Sequence, residues 1–223
     1  MNRPTLIATL ALMTALGLGA CRPPATPETA AAPAPAVAPG AIPMPGQVAP
    51  GFTLVDGDGK PRALADFNGQ VVVLEWTNED CPYVRKHYAG AMQALQREAG
   101  EDGVVWLSVI SSAPGTQGYV TGEAAHSWNT RTGAHSTHLL LDPTGQVGKA
   151  YGAKTTPDMR IINRDGRLVY VGGIDDRPTT DVADLQGAVN FVRAALDDLL
   201  SERPIRRDFA ASYGCSVKYA GTV

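Results

Sequence analysis

The sequence has no surplus of positive charge: its formal net charge is -3 and its pI about 5.8. Such a balance supplies no field for gathering phosphates, so nucleic acid is not an expected partner. The short basic pairs Arg85-Lys86 and Arg206-Arg207 read as solvated surface. Long apolar runs are missing too, since Leu6–Leu18 holds only 13 residues, too few to span a bilayer. No catalytic triad, phosphate loop or paired carboxylates stand out, and no cofactor is expected. Cysteine is the scarcest reactive residue, with three in the chain, at positions 21, 81 and 215. The stretch Cys81-Pro82-Tyr83-Val84 has the outline of a C-x-x-C site, yet Val84 stands where the second thiol would be.

What is present begins with a leader. Arg3 supplies a positive start, the apolar run follows, and Leu18-Gly19-Ala20-Cys21 resembles a bacterial lipobox. That resemblance implies a signal peptide over 1–20, lipidation of Cys21 and a stable anchor in a membrane leaflet. Arg22 after the cysteine implies sorting to the outer membrane, on its periplasmic side. The competing reading is a plain signal peptide with Cys21 left as a stray thiol. Residues 21–48 are mostly Ala and Pro, a composition that cannot bury a core and behaves as a semi-rigid tether. A single domain is expected over 49–223, with 204–223 as its tail. Setting Cys21 aside leaves Cys81 and Cys215, an even count in an oxidising compartment, so pairing is a hypothesis.

Within the domain, Phe52–Val55 and the turn-rich Asp56–Lys60 read as a hairpin. Val71–Trp76, Gly103–Ile110 and His138–Asp142 are apolar runs of the kind buried in a sheet. A helix is predicted to open at Pro82 and run to Gly100, with Val84, Tyr88, Met92, Leu95 and Ala99 on one face. Short helices are expected over Glu123–Arg131 and Gln146–Tyr151, and a hairpin over Met159–Ile162 and Leu168–Val171. A last helix spans Asp181–Glu202, carrying Leu185, Val189, Val192, Leu196 and Leu199 on one face. The layout is α/β, a mixed sheet flanked by helices with a C-terminal extension.

Four motifs in order then carry a family resemblance: Asn78–Val84, Thr155-Thr156-Pro157, Val169–Asp176 and Gly214–Tyr219. Together they resemble the thioredoxin-like redoxins, in particular the peroxiredoxin-like proteins of that superfamily. The resemblance implies a thioredoxin-like fold, thiol–disulfide exchange with a thiol or disulfide protein or a small thiol, and a cis peptide before Pro157. It also implies that the Thr156 backbone faces the substrate. Pro82 opens the helix and so presents the thiol. Trp76 and Tyr83 serve either as substrate contacts or as packing.

Cys81 heads a helix, where free N–H groups and the positive end of the dipole favour a thiolate. Glu79 and Asp80 oppose this and Arg85 assists it; a merely structural buried cysteine is the alternative. Since Val84 cannot resolve a mixed disulfide, Cys215 is the remaining candidate. Gly214 reads as its flexible neighbour in a segment, 204–223, without a helical stripe. The pattern departs from a peroxidase, because Asn78 occupies the position of the threonine that contacts peroxide and Leu74 replaces a proline. Thiol peroxidase is therefore the runner-up, and a copper-binding or redox-silent module the third reading. For copper the spacing is poor: six residues along a helix separate Cys81 from His87 by about 120°, and His135 and His138 point to opposite faces of a strand. The histidines read as solvated or capping, and no metal is expected.

Overall fold

The computed structural model describes residues 42–221. The leader, Cys21 and the tether up to residue 41 lie outside the described residues. Ten strands and six α-helices follow in order: β1 Thr53–Asp56, β2 Pro61–Ala63, β3 Val72–Trp76, α1 Pro82–His87, α2 Ala91–Glu101, β4 Val105–Ile110, α3 Gly122–His126, α4 Trp128–Thr132, β5 His138–Leu141, α5 Gln146–Ala150, β6 Thr155–Thr156, β7 Asp158–Ile162, β8 Leu168–Gly172, α6 Phe191–Leu200, β9 Phe209–Ala210 and β10 Cys215–Ser216.

Eight strands form one mixed sheet in the order β2-β1-β5-β4-β3-β7-β8-β9. The central β3 pairs parallel with β4 and antiparallel with β7. Side chains alternate along it as a pleat demands. Val73 joins Trp106, Ile161 and Tyr170 under Met92 and Leu95 of α2 and Val192 and Leu196 of α6. Val72, Leu74 and Trp76 join Leu107 and Val109 on the other face, against Val147 and Tyr151. Each such burial stabilises the fold by roughly 1.5–3 kcal/mol, which is why these runs are apolar on both faces. Glu75 breaks the pattern: fully buried, it accepts from Trp106 Nε1 at 2.8 Å, Tyr88 OH at 2.9 Å, Gln96 Nε2 at 3.1 Å and Ser108 Oγ at 3.3 Å.

Three helices differ from expectation, the one expected over Glu123–Arg131 being divided at Ser127 into α3 and α4. The helix from Pro82 is broken between α1 and α2, because Gly90 takes φ 127° and caps a new helix. That left-handed excursion is cheap only for glycine. The last helix starts at Phe191, where the Asn190 side chain accepts from Arg193 N. A single 3-10 turn, Val182–Leu185, precedes it, and Val189 is exposed rather than on the buried face. Docking onto the domain begins ahead of residue 49: Val48 bridges to Arg167 and Gly46 N donates to Leu168 O at 2.7 Å. Among the described residues, no helix is long and apolar enough to cross a membrane.

Candidate redox site

β3 ends at Trp76 beside Asp158, the first residue of β7. The chain ahead of β7 is therefore held against the loop that leaves β3. That loop, Thr77–Asp80, delivers Cys81 to the head of α1, with Pro82 as the first helical residue. The Asn78 side chain shapes it, accepting from Asp80 N at 2.9 Å and donating to Gln117 O at 3.3 Å. Facing it is the Thr156-Pro157 peptide, which is cis. Cys81 Sγ lies 3.2 Å from Thr156 O and the residue is fully buried.

The tail returns to this point. β10 pairs antiparallel with β6, setting Cys215 directly opposite Thr156 and Ser216 opposite Thr155. The pairing brings the two thiols near enough for each to influence the other's proton, and both are free in this structure. Burial pushes the Cys81 thiol up, but hydrogen bonds from the Cys215 thiol, the Thr156 hydroxyl and the N–H groups of Val84 and Cys215 outweigh it, leaving its pKa below the usual value. Cys215 moves the other way, to about 11, raised by burial and by the neighbouring Cys81 sulfur. The pair is thus polarised: Cys81 gives up its proton more readily than Cys215 does. The nearby charges cancel among themselves, since Arg85 Nη2 lies 3.1 Å from Asp80 and Arg131 pairs with Glu79 at 2.9 Å.

The tail is anchored on both sides of Cys215. Ahead of it, the Tyr213 hydroxyl donates to Asp175 Oδ1 and stands 3.0 Å from His87 Nε2. Lys86 Nζ, also buried, donates to Arg177 O at 2.5 Å and sits 3.9 Å from Asp175. Behind it, Val217 N donates to Lys154 O, Ala113 N to Lys218 O, and the Tyr219 hydroxyl to Ala153 O at 2.8 Å.

Several expectations change here. Trp76 is a packing residue: it is fully buried, its Nε1 donates to Ser111 Oγ, and its ring lies 5.5 Å from that of Tyr151. Tyr83 is partly exposed and meets Tyr213 edge-on at 5.9 Å. Pro82 is exposed. The Thr156 backbone, expected to face a substrate, is paired with the protein's own tail. Gly214 serves close approach rather than flexibility, with φ 134° and no room for a Cβ beside the Thr156 carbonyl. Lys86 and His87 are buried, not solvated, because Asp175 and Tyr213 give them partners. The signal for His87 was available: it follows Val84 by three, on the same helix face. Nothing in the spacing pointed to Asp175 or Tyr213. Among the described residues, no group of three or more His, Cys, Asp or Glu side chains could hold a metal ion.

The profile of the Redoxin family matches residues 44–189, so the matched part ends before β9 and β10. No curated protein matches the chain. A hypothetical protein of Sinorhizobium meliloti is 28% identical, with 80% of this chain and 96% of that one covered and a TM-score of 0.67. An uncharacterized conserved protein of Geobacillus kaustophilus is also 28% identical, with 82% and 95% covered and a TM-score of 0.69. A candidate protein disulfide isomerase of Bacteroides thetaiotaomicron shares the fold at 21% identity, with 72% and 92% covered and a TM-score of 0.52. With the family profile running through well over half of the sequence, from the docked segment before β1 to the loop before α6, the chain belongs to the redoxin family.

Proposed function

We propose that Cys81 and Cys215 form the redox centre of a thiol–disulfide exchange protein. Membership of the redoxin family makes the chain a thiol-based oxidoreductase. The observation that carries the finer reading is the β6–β10 pairing, which sets Cys215 opposite Thr156, the residue whose carbonyl oxygen lies 3.2 Å from Cys81 Sγ. In the forward step the Cys81 thiolate attacks one sulfur of a substrate disulfide, and the other substrate sulfur leaves as a thiolate. Cys215 then gives up its proton to that thiolate and attacks the Cys81 sulfur. The second substrate sulfur is released, and Cys81 and Cys215 are left as a disulfide. Two electrons and the Cys215 proton have passed to the substrate, whose second sulfur leaves as a thiolate and takes its proton from water.

Full burial of Cys81 favours a second reading, reduction of a small hydroperoxide, because a macromolecular disulfide reaches that sulfur only if β10 gives way. There the thiolate takes one peroxide oxygen, becoming a sulfenic acid as water or an alcohol departs, and Cys215 condenses with it to the same disulfide and water. The Asn78 side chain, committed to Asp80 and Gln117, offers little to a peroxide. This keeps exchange ahead.

The test uses the full chain carrying Cys21→Ser. Mild oxidation lowers its mass by about 2 Da through the Cys81–Cys215 link, one S–S bond for two thiol hydrogens. Titration against glutathione then separates a working pair from a permanent staple, which lies below about -300 mV. Failure to form the link sinks the reading, and so does resistance of the link to glutathione. Fast Cys81-dependent peroxide consumption reverses the two readings.

The Leu18–Cys21 segment supports a further proposal, that the domain hangs from a membrane by lipidated Cys21 on the periplasmic face of the outer membrane. Cys21→Ser should move the protein from the membrane to the soluble fraction; an unchanged distribution overturns the anchor.

A further inference from the structure

We infer that the flank of the molecule around Lys154 is a docking surface for a polypeptide partner that presents an apolar side chain among carboxylates. This rests on the exchange reading above, which says what such a partner brings, a thiol or a disulfide. Two segments lie along β8 on the side opposite β7. Toward the start of β8, Gly46 N donates to Leu168 O and Leu168 N to Gln47 O; toward its end, β9 pairs with Val171 and Gly172. A cavity of about 390 Å³ opens between them, lined by Ile42 and Met44 from the first segment, by Phe209 and Ala210 from the second, and by Lys154 and Ser212.

The apolar lining is open to solvent. Among the described residues seven large apolar side chains are exposed, and three of them, Ile42, Met44 and Phe209, line this one cavity. Single exposed apolar residues are ordinary surface, whereas a cluster around a concavity marks a contact site. Asp158 and Arg160 also line it, but they are buried and paired at 2.5 Å, so their charges cancel. A flat bilayer would leave the concavity unfilled, and a protruding side chain fills it.

The charge at the rim has one sign. Lys154 is exposed, and its carbonyl oxygen accepts from Val217 N, which brings Lys218 alongside. Lys149 Nζ stands 5.4 Å from the centre of the Tyr219 ring, whose hydroxyl donates to Ala153 O. Three lysines are thus gathered around the β6–β10 pair in a chain of net charge -3. Among the described residues none of the three is in an ion pair. Asp142 and Asp158, the carboxylates whose charge reaches Tyr219, are buried; the first accepts from Ser111 Oγ at 2.6 Å and Gly148 N at 2.9 Å, and the second is held by Arg160. Carboxylates on a partner complement this rim, and charge of that kind sets partner choice and speeds encounter.

The flank adjoins the redox pair. Lys154 is two residues ahead of Thr156, whose carbonyl oxygen lies 3.2 Å from Cys81 Sγ, and Ser212 is three ahead of Cys215. A cysteine close to the partner's apolar residue then comes to lie beside the β6–β10 pairing. Because the protein's own tail occupies the Thr156 backbone, the flank supplies the hold that this backbone does not.

The test measures binding without redox chemistry. A labelled peptide carrying one leucine among glutamates, with its single cysteine S-methylated, is titrated with the full chain bearing Cys21→Ser, and anisotropy is read. It should bind several-fold more tightly than the same peptide with lysine in place of glutamate, and the gap should close as salt rises. Lys154→Glu should weaken binding of the acidic peptide several-fold, Lys154→Arg should retain it, and Phe209→Ser should weaken it as well. Equal affinity of the parent for the two peptides overturns the inference, whatever the variants do, and so does an unchanged affinity in Lys154→Glu. Vesicles of phosphatidylcholine and phosphatidylglycerol supply the other arm: binding to them that Lys154→Glu abolishes, with no binding of the peptide, makes the flank a membrane contact and overturns the partner. Since the peptide's sulfur is blocked, its binding does not depend on the Cys81–Cys215 link; binding without link formation sinks the exchange reading and leaves the surface standing.

Discussion

Gly214 passes so close to Thr156 that a Cβ placed on it would stand 2.0 Å from the Thr156 carbonyl oxygen. Its φ of 134° is in addition a conformation that side chains rarely take. Gly214→Ala should therefore push β10 off β6. We expect a loss of roughly 1–3 kcal/mol from backbone strain alone, and slower closure of the Cys81–Cys215 disulfide by an added oxidant. Urea unfolding and mass-resolved oxidation kinetics read the two effects, and parental values for both would refute the proposed fit.

Thiolate absorbance near 240 nm, which does not require access to the sulfur, tests the polarised pair. In the chain with Cys21→Ser it should show one thiol titrating below the ordinary cysteine value of about 8.5. Cys215→Ala removes the first of the hydrogen bonds that hold Cys81 down, so its titration should move upward. A Cys81 that titrates identically in both proteins would mean that Cys215 contributes nothing.

His87 makes the fold sensitive to acid. Burial, opposed by Asp175 and reinforced by Lys86, lowers its pKa to about 4, and the Tyr213 hydroxyl completes its surroundings. In the unfolded chain a histidine takes its proton near 6.5. Between about 6.5 and 4 the unfolded state binds more protons, so stability should fall as pH falls through that window and level off below it. His87→Gln should flatten this slope relative to the parent. Denaturation midpoints at pH 7, 5.5 and 4 check it, and an unchanged slope places the acid sensitivity elsewhere.

Glu75 is the other costly burial. Glu75→Leu leaves Trp106 Nε1, Tyr88 OH and Gln96 Nε2 without their acceptor, a loss of about 3–5 kcal/mol. Glu75→Gln keeps an acceptor and should lose far less. Because burial raises the Glu75 pKa, its carboxyl favours the neutral form in the fold. Parental stability then declines as pH rises from about 4.5 toward the folded value, and Glu75→Gln removes that decline. Equal losses for Leu and Gln would show that hydrogen bonding at this position is not what matters.

Much of this architecture was legible from periodicity. The buried strands stand out because both faces of β3 and β4 must be apolar, and Pro82 marked the head of α1 correctly. The α1–α2 break was not legible, since Gly90 inside a continuous apolar stripe looks like a tolerated residue until its φ is seen. Cys215 could be named by elimination, but its position opposite Thr156 is a long-range pairing of two-residue strands, and no local pattern encodes it. The cluster of Lys86, His87, Asp175 and Tyr213 was illegible for the same reason: each member looks like surface until three distant segments meet.

The β6–β10 pairing also bears on how the protein is made. Synthesis runs from the N-terminus, so the strand, loop and cis-proline segment that surround Cys81 are all complete before Cys215 emerges. On the exchange reading proposed above, Cys81 spends that interval without the β10 strand that covers it and without the thiol proposed to resolve it, and a chain stopped shortly before Gly214 would leave it in that state.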